Sequence, residues 1–589
     1  MKPTNVHRRG RALVSLTAAL GLALGAATVG TGPAQSVAPT PDCTPYSGTP
    51  TKGDAVTALS VTSGTTPQQF TGKVLGVLQD GIAPDLDMVM VKINAPDPAT
   101  MDGVDGVNGI WQGMSGSPVY AADGTVIGAI AYGLSWGPSW IAGVTPFANM
   151  DDYLTDPAPA KVQVGTAAAR TIARSSDVTQ AQAEQGFTQL PMPTGVSGVR
   201  NHRLNQAENH RKGHAWVPKS TYRMGNAAAA DNQSAAGPET VVPGGNLAAS
   251  LSYGDITQGG VGTVTATCNG KVVGFGHPMT FLGKTTLTLH PADALFIQPE
   301  SLGAPFKLAN LGAPAGTISD DHLTGITGFL GATPETSDVT STVSFDGRSR
   351  TGESQVSVPQ ALASTVFYEH VGNHDVVVDG AIPGAELQSW TISGTQGADD
   401  APFSLQVTDR YASNWDITYE SAWELADFVW SLSAVPGVTI DDVTMSSDVI
   451  DDSSTWEISK LEQRVGGTWV KAGKGAPVLA RAGKAVPLRA VLTSGSDTKI
   501  VPVSVTVPSS ASGSEGRLAV IGGSNMWSRN AYPRSFAQAQ KYVDTLVRND
   551  QVEVLLSLYS RRHSINNEAT SDPQDKVVDG HKQVKVLVK

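Results

Sequence analysis

Gly109-Ile110-Trp111-Gln112-Gly113-Met114-Ser115-Gly116-Ser117-Pro118-Val119-Tyr120 packs glycines, two hydroxyls and a proline between apolar runs, then re-enters a strand pattern. Gly113 and Gly116 open backbone angles closed to other residues, so the turn can aim several N–H groups into one small space. If Ser115 is a nucleophile, the N–H groups of Gly113 and Ser115 are placed to hold the oxyanion of an acyl-transfer intermediate. A bare Gly-x-Ser-Gly is usually a tight turn whose hydroxyls cap backbone groups. The hexapeptide 113–118, continued by Asp123-Gly124 and Thr125-Val126-Ile127-Gly128-Ala129, is more specific and points to a protease-type site.

Working outward, short apolar runs bounded by turn residues read as strands at 55–63, 70–79 and 88–93 before the serine turn, and at 125–132 and 141–146 after it. Strands this short predict a small barrel over 39–160. Residues 161–243 are richer in Ala, Gln, Asn and Ser and read as a partly disordered connector. A second barrel is expected over 244–335, with Asn269-Gly270 as a hairpin turn. Beyond it, 336–510 reads as a β-rich, sandwich-like region and 511–589 as a C-terminal α/β segment. Trp423, Leu425, Phe428, Val429 and Leu432 fall at helical spacing within 419–433, and Trp423, Trp430 and Trp456 read as core.

The stretch 109–128 resembles the serine-bearing segment of the SpoIVB-type serine peptidases, spore-formation enzymes distantly akin to trypsin. That resemblance picks out Ser115, not Ser117, as nucleophile, and Met114 stands where trypsin-like enzymes usually carry an aspartate. It continues in Gly274-Phe275-Gly276-His277-Pro278, which is similar to the Gly-His motif carrying that family's base, and in the segment 316–326. It covers about residues 50–335 and implies a mostly β chain with two small trypsin-like β-barrels followed by a β-sandwich-like region with a few helices. In that family the histidine barrel comes first; here Ser115 precedes His277, an order a triad tolerates because geometry defines it. Asp321 is the candidate third member, with Asp320, Asp293, Asp97 or a bare Ser/His dyad as alternatives.

The expected activity is serine endopeptidase: an acyl-enzyme on Ser115, with His277 as general base and a rate rising through about pH 6–7. The competing expectation is a catalytically silent extracellular or cell-envelope binding protein on the same scaffold. A pocket walled by Ala131-Tyr132-Gly133 and 141–144 contains no carboxylate and favours an apolar or small residue before the cut.

Composition sets the compartment. The chain has 589 residues, 40% hydrophobic, with 63 glycines and only 16% charged residues, the profile of a turn-rich β protein. Residues 1–38 read as a cleaved export signal, with Lys2, Arg8, Arg9 and Arg11 before an apolar run and small residues at the end. Losing those four positive charges takes the formal charge from −12 to −16, which disfavours nucleic acid and anionic membranes as partners. The expected product is secreted, acts on protein or peptide substrates and has no stable membrane insertion. Cys43 and Cys268, the only cysteines, are expected to form one disulfide in that compartment. No cofactor and no metal are expected: no His or Cys cluster is read at ligand spacing, and His202, His210 and His214 read as solvated.

Overall fold

The computed structural model describes residues 45–589 except 151–160, 163, 177, 191–193, 220, 230–231, 233–234, 269, 300–304, 527–531 and 560–563. The expected export signal, Cys43 and therefore the Cys43–Cys268 pairing lie outside the described residues.

The first barrel is built from Ala55–Ser60 (β1), Gln68–Ala83 (β2), Leu86–Ile93 (β3), Pro118–Tyr120 (β4), Val126–Leu134 (β5) and Ile141–Pro146 (β6). They close in the order β4-β1-β2-β3-β6-β5 and back to β4, every pairing antiparallel. Alternation drives the closure: Val56 and Ala58 of β1 point inward with Val89, Val91 and Ile93 of β3. The serine turn is part of this core. Trp111 and Met114 are fully buried in it, with the Trp111 ring 5.9 Å from Phe70. Met114 is thus an apolar anchor of the turn.

The second barrel is also six-stranded, antiparallel and closed. Asn246–Gly254, Gln258–Cys268, Lys271–Gly274, Gly325–Leu330, Gly316–His322 and Gly283–His290 follow one another around the ring. Cys268 pairs with Lys271 across the expected hairpin, where Gly270 takes φ +80°. The chain is thus mostly β with two closed six-strand barrels and few helices, as the sequence leads one to expect.

The boundaries drawn from composition need revision. Residues 161–243 are not a mere connector: Phe187–Gln189 pairs with β5, and Gly195–Val196 pairs with Gln258 and Gly259 of the second barrel. Its Ala-rich helix Thr166–Ser175 contributes Ala169 and Ile172 to a core shared with β2, β3 and β5. Small side chains pack closely there, a role that composition alone cannot distinguish from a linker.

Nor does one sandwich span 336–510. Arg348–Val356 pairs with the barrel strand Asn246–Gly254, so the second barrel's sheet runs on through Ser337–Phe345, Val438–Ile450, Gly384–Gln396 and Ala401–Ser413. The helices Leu362–Val377 and Trp423–Ser433 share one apolar core with this extended sheet. The sandwich proper comprises two five-stranded sheets between 456 and 588 around a core of its own, drawing half its strands from the expected α/β segment. Helix Phe536–Thr545 leaves it: Ala539 is buried in the neighbouring core, and the rings of Phe536 and Tyr542 lie 4.9 Å from Phe403 and 5.3 Å from Phe428.

Candidate active site between the barrels

Ser115 sits between two left-handed glycines, Gly113 at φ +90° and Gly116 at φ +96°. At Gly116 a Cβ would lie 1.9 Å from Thr263 O and 2.5 Å from Phe275 N, so no other residue fits. That closeness reflects docking on the second barrel. Thr263 donates its N–H to Ser115 O at 2.8 Å and its hydroxyl to Gly113 O at 2.9 Å, while Thr265 Oγ1 donates to Gly116 O at 2.8 Å. The histidine turn docks the opposite way. Thr145 of β6 donates to Gly276 O at 2.6 Å, and a Cβ on Gly276 would meet Ala129 and Ala131 of β5 at 3.0 Å. Phe275, just before it, holds φ +69°, a strained conformation for an aromatic residue that the burial of its ring sustains.

These two turns bring Ser115 Oγ to 2.8 Å from His277 Nε2. The other ring nitrogen, Nδ1, lies 2.7 Å from Pro278 O. A carbonyl can only accept, so this contact puts the proton on Nδ1 and leaves the Nε2 lone pair facing the Ser115 hydroxyl. That is the tautomer a general base requires. Neither the Gly113 nor the Ser115 N–H donates to any partner among the described residues, which leaves both for an oxyanion. Ser117, also buried, has no hydrogen-bond partner for its hydroxyl among the described residues and stands apart from the histidine.

Among the described residues no carboxylate bonds His277. Asp321 is fully buried, and it accepts from the backbone N–H of Met279, Thr280 and Leu282 and from the Thr280 hydroxyl, at 2.7–3.3 Å. It thus fixes the loop just after the base, and acts on the imidazole only through its field. Asp320 pairs with Lys284 at 2.8 Å, Asp293 lies in the hairpin strand Ala292–Gln298, and Asp97 is in an exposed turn. The side chain that does reach Nδ1 is Gln189, whose amide nitrogen is 2.9 Å away and donates to Pro278 O at 3.2 Å. With the proton on Nδ1, the amide nitrogen bonds the Pro278 carbonyl and only packs beside the ring, whereas turning the amide over would present Oε1 to the Nδ1–H at the expense of the bond to Pro278 O. Nothing in the sequence marks Gln189, because it arrives from the segment that composition assigns to a connector.

Burial governs the electrostatics. Ser115 and His277 are both 0% exposed. Desolvation pushes the His277 pKa down to about 4, against the opposing effects of the Pro278 carbonyl and Asp321. The expected walls of a specificity pocket, Ala131, Tyr132, Ile141, Ala142 and Val144, are buried strand residues. Phe306–Leu311 lies over the serine turn: Gln112 N donates to Pro305 O at 2.7 Å and Lys307 N to Gln112 O at 2.9 Å. Lys307 itself is buried, with its amine 2.8 Å from Asn246 Oδ1 and its pKa pushed down by burial to about 7.

Of the other expectations, His202 and His210 are exposed, His210 lying 2.6 Å from the Tyr419 hydroxyl, whereas His214 is partly buried, stacks on Trp423 at 4.1 Å and sits 2.7 Å from Asp427. Among the described residues no helix is long and apolar enough to cross a membrane. No family model, no curated protein and no solved structure matches the chain.

Proposed function

We propose that the protein is a secreted serine endopeptidase of SpoIVB-like character, with Ser115 as nucleophile and His277 as general base. One observation carries the reading: Ser115 Oγ and His277 Nε2, from two separately recognisable motifs, meet at 2.8 Å. In the reaction His277 Nε2 takes the hydroxyl proton as Oγ attacks the peptide carbonyl, and the developing oxyanion is held by the N–H groups of Gly113 and Ser115. The imidazolium then returns its proton to the leaving amine, and water repeats the cycle on the acyl-enzyme. Gln189 and the Pro278 carbonyl orient the ring, while Asp321 holds the loop beneath it.

The complete burial of both groups favours a second reading, a catalytically silent binding protein on a protease-like scaffold. A fluorophosphonate probe separates the two. If the closed form dominates, labelling is slowed by the small fraction of open molecules but proceeds to one probe per chain, and Ser115→Ala abolishes it. Absence of labelling after prolonged incubation, in protein whose folding is verified, supports the binding scaffold instead.

A further inference from the structure

The helix Leu362–Val377 is buried on almost every side, although its sequence is not that of an apolar core helix: it carries Glu369, His370, Asn373, His374 and Asp375 inward. His370 and His374 are four residues apart, so they share one face of the helix, and Glu386 of the strand Gly384–Gln396 stands opposite them. A ligand atom from each of the three lies within 4.8 Å of the others, and all three are buried. We infer that His370, His374 and Glu386 form a buried divalent-metal site, for zinc or an ion of the same class, that locks this helix to the sheet extending from the second barrel.

The second shell supports the assignment. His374 Nδ1 lies 2.8 Å from His370 O, which fixes the proton there and turns the Nε2 lone pair inward. That Nε2 faces Glu386 Oε2 at 3.3 Å and has no other partner among the described residues. Gln388 touches both His370 and Glu386 through its amide nitrogen and leaves its own Oε1 unpartnered, and Thr418 Oγ1 is unpartnered too. Buried polar atoms are rarely left so, and these call for an additional group.

Charge points the same way. Arg203, the nearby cation, is held by Asp375 at 2.8 Å and Asp416 at 2.5 Å. With Glu386, three carboxylates then face one guanidinium, and counting the exposed pair Arg200 and Asp379 leaves the balance unchanged. Two formal negative charges beside two imidazoles suit a divalent cation. Two imidazoles and one carboxylate without a thiolate suit zinc and its transition-metal neighbours, whereas calcium and magnesium prefer all-oxygen sets. Ser421, whose hydroxyl lies 2.6 Å from Glu386 Oε2 and 2.9 Å from His370 Nε2, adjoins the cluster.

The test uses the untagged chain, unfolded in chelator and refolded with or without zinc chloride, then desalted. The expected result is about one zinc per chain and a higher melting temperature for the zinc-refolded protein only. His374→Ala and Glu386→Gln should weaken retention at least about ten-fold. Glu386→Gln keeps the shape of the side chain, so it remains informative if His374→Ala fails to fold. No retained zinc together with identical melting of the two wild-type preparations would overturn the site in favour of a water-bridged His–Glu network. One zinc retained by both variants would overturn it by placing the metal elsewhere.

Discussion

At the scale of single residues, the hydroxyl–imidazole contact makes Ser115 and His277 one unit. Ser115→Ala and His277→Ala should each remove nearly all activity, with the double variant no worse than either, whereas Ser117→Ala should be mild. Full activity in Ser115→Ala would sink the assignment. The pH profile follows from burial and not from the ordinary imidazole value: with His277 near 4, kcat/KM should rise around pH 4 and stay flat to pH 7 and above. A midpoint near 6.5 would mean that the ring is hydrated in the competent state, and hence that the barrels part before chemistry. Gln189 offers an independent handle on the same ring. Gln189→Glu places a carboxylate beside Nδ1 and should move that midpoint upward, while Gln189→Ala should slow the rate about ten-fold by loosening the ring. A midpoint unmoved by Gln189→Glu would mean that this side chain does not face His277 when the enzyme works. The two motif residues were legible because each lies within a run of glycines that a strand does not otherwise need. Gln189 was not, since a single polar residue reaching the site from a distant segment leaves no local pattern. His370 and His374 escaped for a related reason: their helix has no apolar stripe, and the third member, Glu386, lies on the next strand.

At the scale of elements, the two turns are held by backbone fit and by one carboxylate. Gly116→Ala forces a Cβ into Thr263 O at a positive φ, so it should lower stability by several kcal/mol and loosen the docking of the barrels. Asp321 gathers three N–H groups and a hydroxyl on one buried carboxylate. Asp321→Ala strands those donors and should destabilise the protein by on the order of 3 kcal/mol, with activity falling in parallel. A triad carboxylate would give the opposite balance, a collapse in rate at nearly full stability, so thermal unfolding and kcat measured on one preparation decide between them. The strands around the turns could be read from alternation because each has one face in a barrel. The break at 451–455, which ends one sheet and begins the sandwich, could not, because Val438–Ile450 and Trp456–Val465 carry the same period on both sides of it.

At the scale of the whole molecule, the buried bases give the fold an uncommon dependence on pH. Burial holds His277 and His290 down to about 4 and Lys307 down to about 7. All three have folded values below their unfolded ones, near 6.5 for histidine and 10.4 for lysine. The unfolded chain therefore binds more protons than the folded one between about pH 4 and 6.5, through the histidines, and again between about pH 7 and 10, through Lys307. Stability rises with pH wherever the unfolded state holds the extra protons, so these contributions are complete only above the unfolded values. They are lost as pH falls through the folded ones. The melting temperature should climb from pH 4 to 6.5 and continue to rise, more gently, towards pH 9, where many proteins have already passed their optimum. Lys307→Met removes the cost of an amine that must discharge on burial, although it gives up the bond to Asn246. That variant should flatten the alkaline limb, and His290→Gln, which can still engage Ser250 and Gly312, should make the acid limb shallower. Melting curves across pH 4 to 9 on the three proteins test the scheme, and an alkaline limb unchanged in Lys307→Met would show that Lys307 keeps its charge in the folded state.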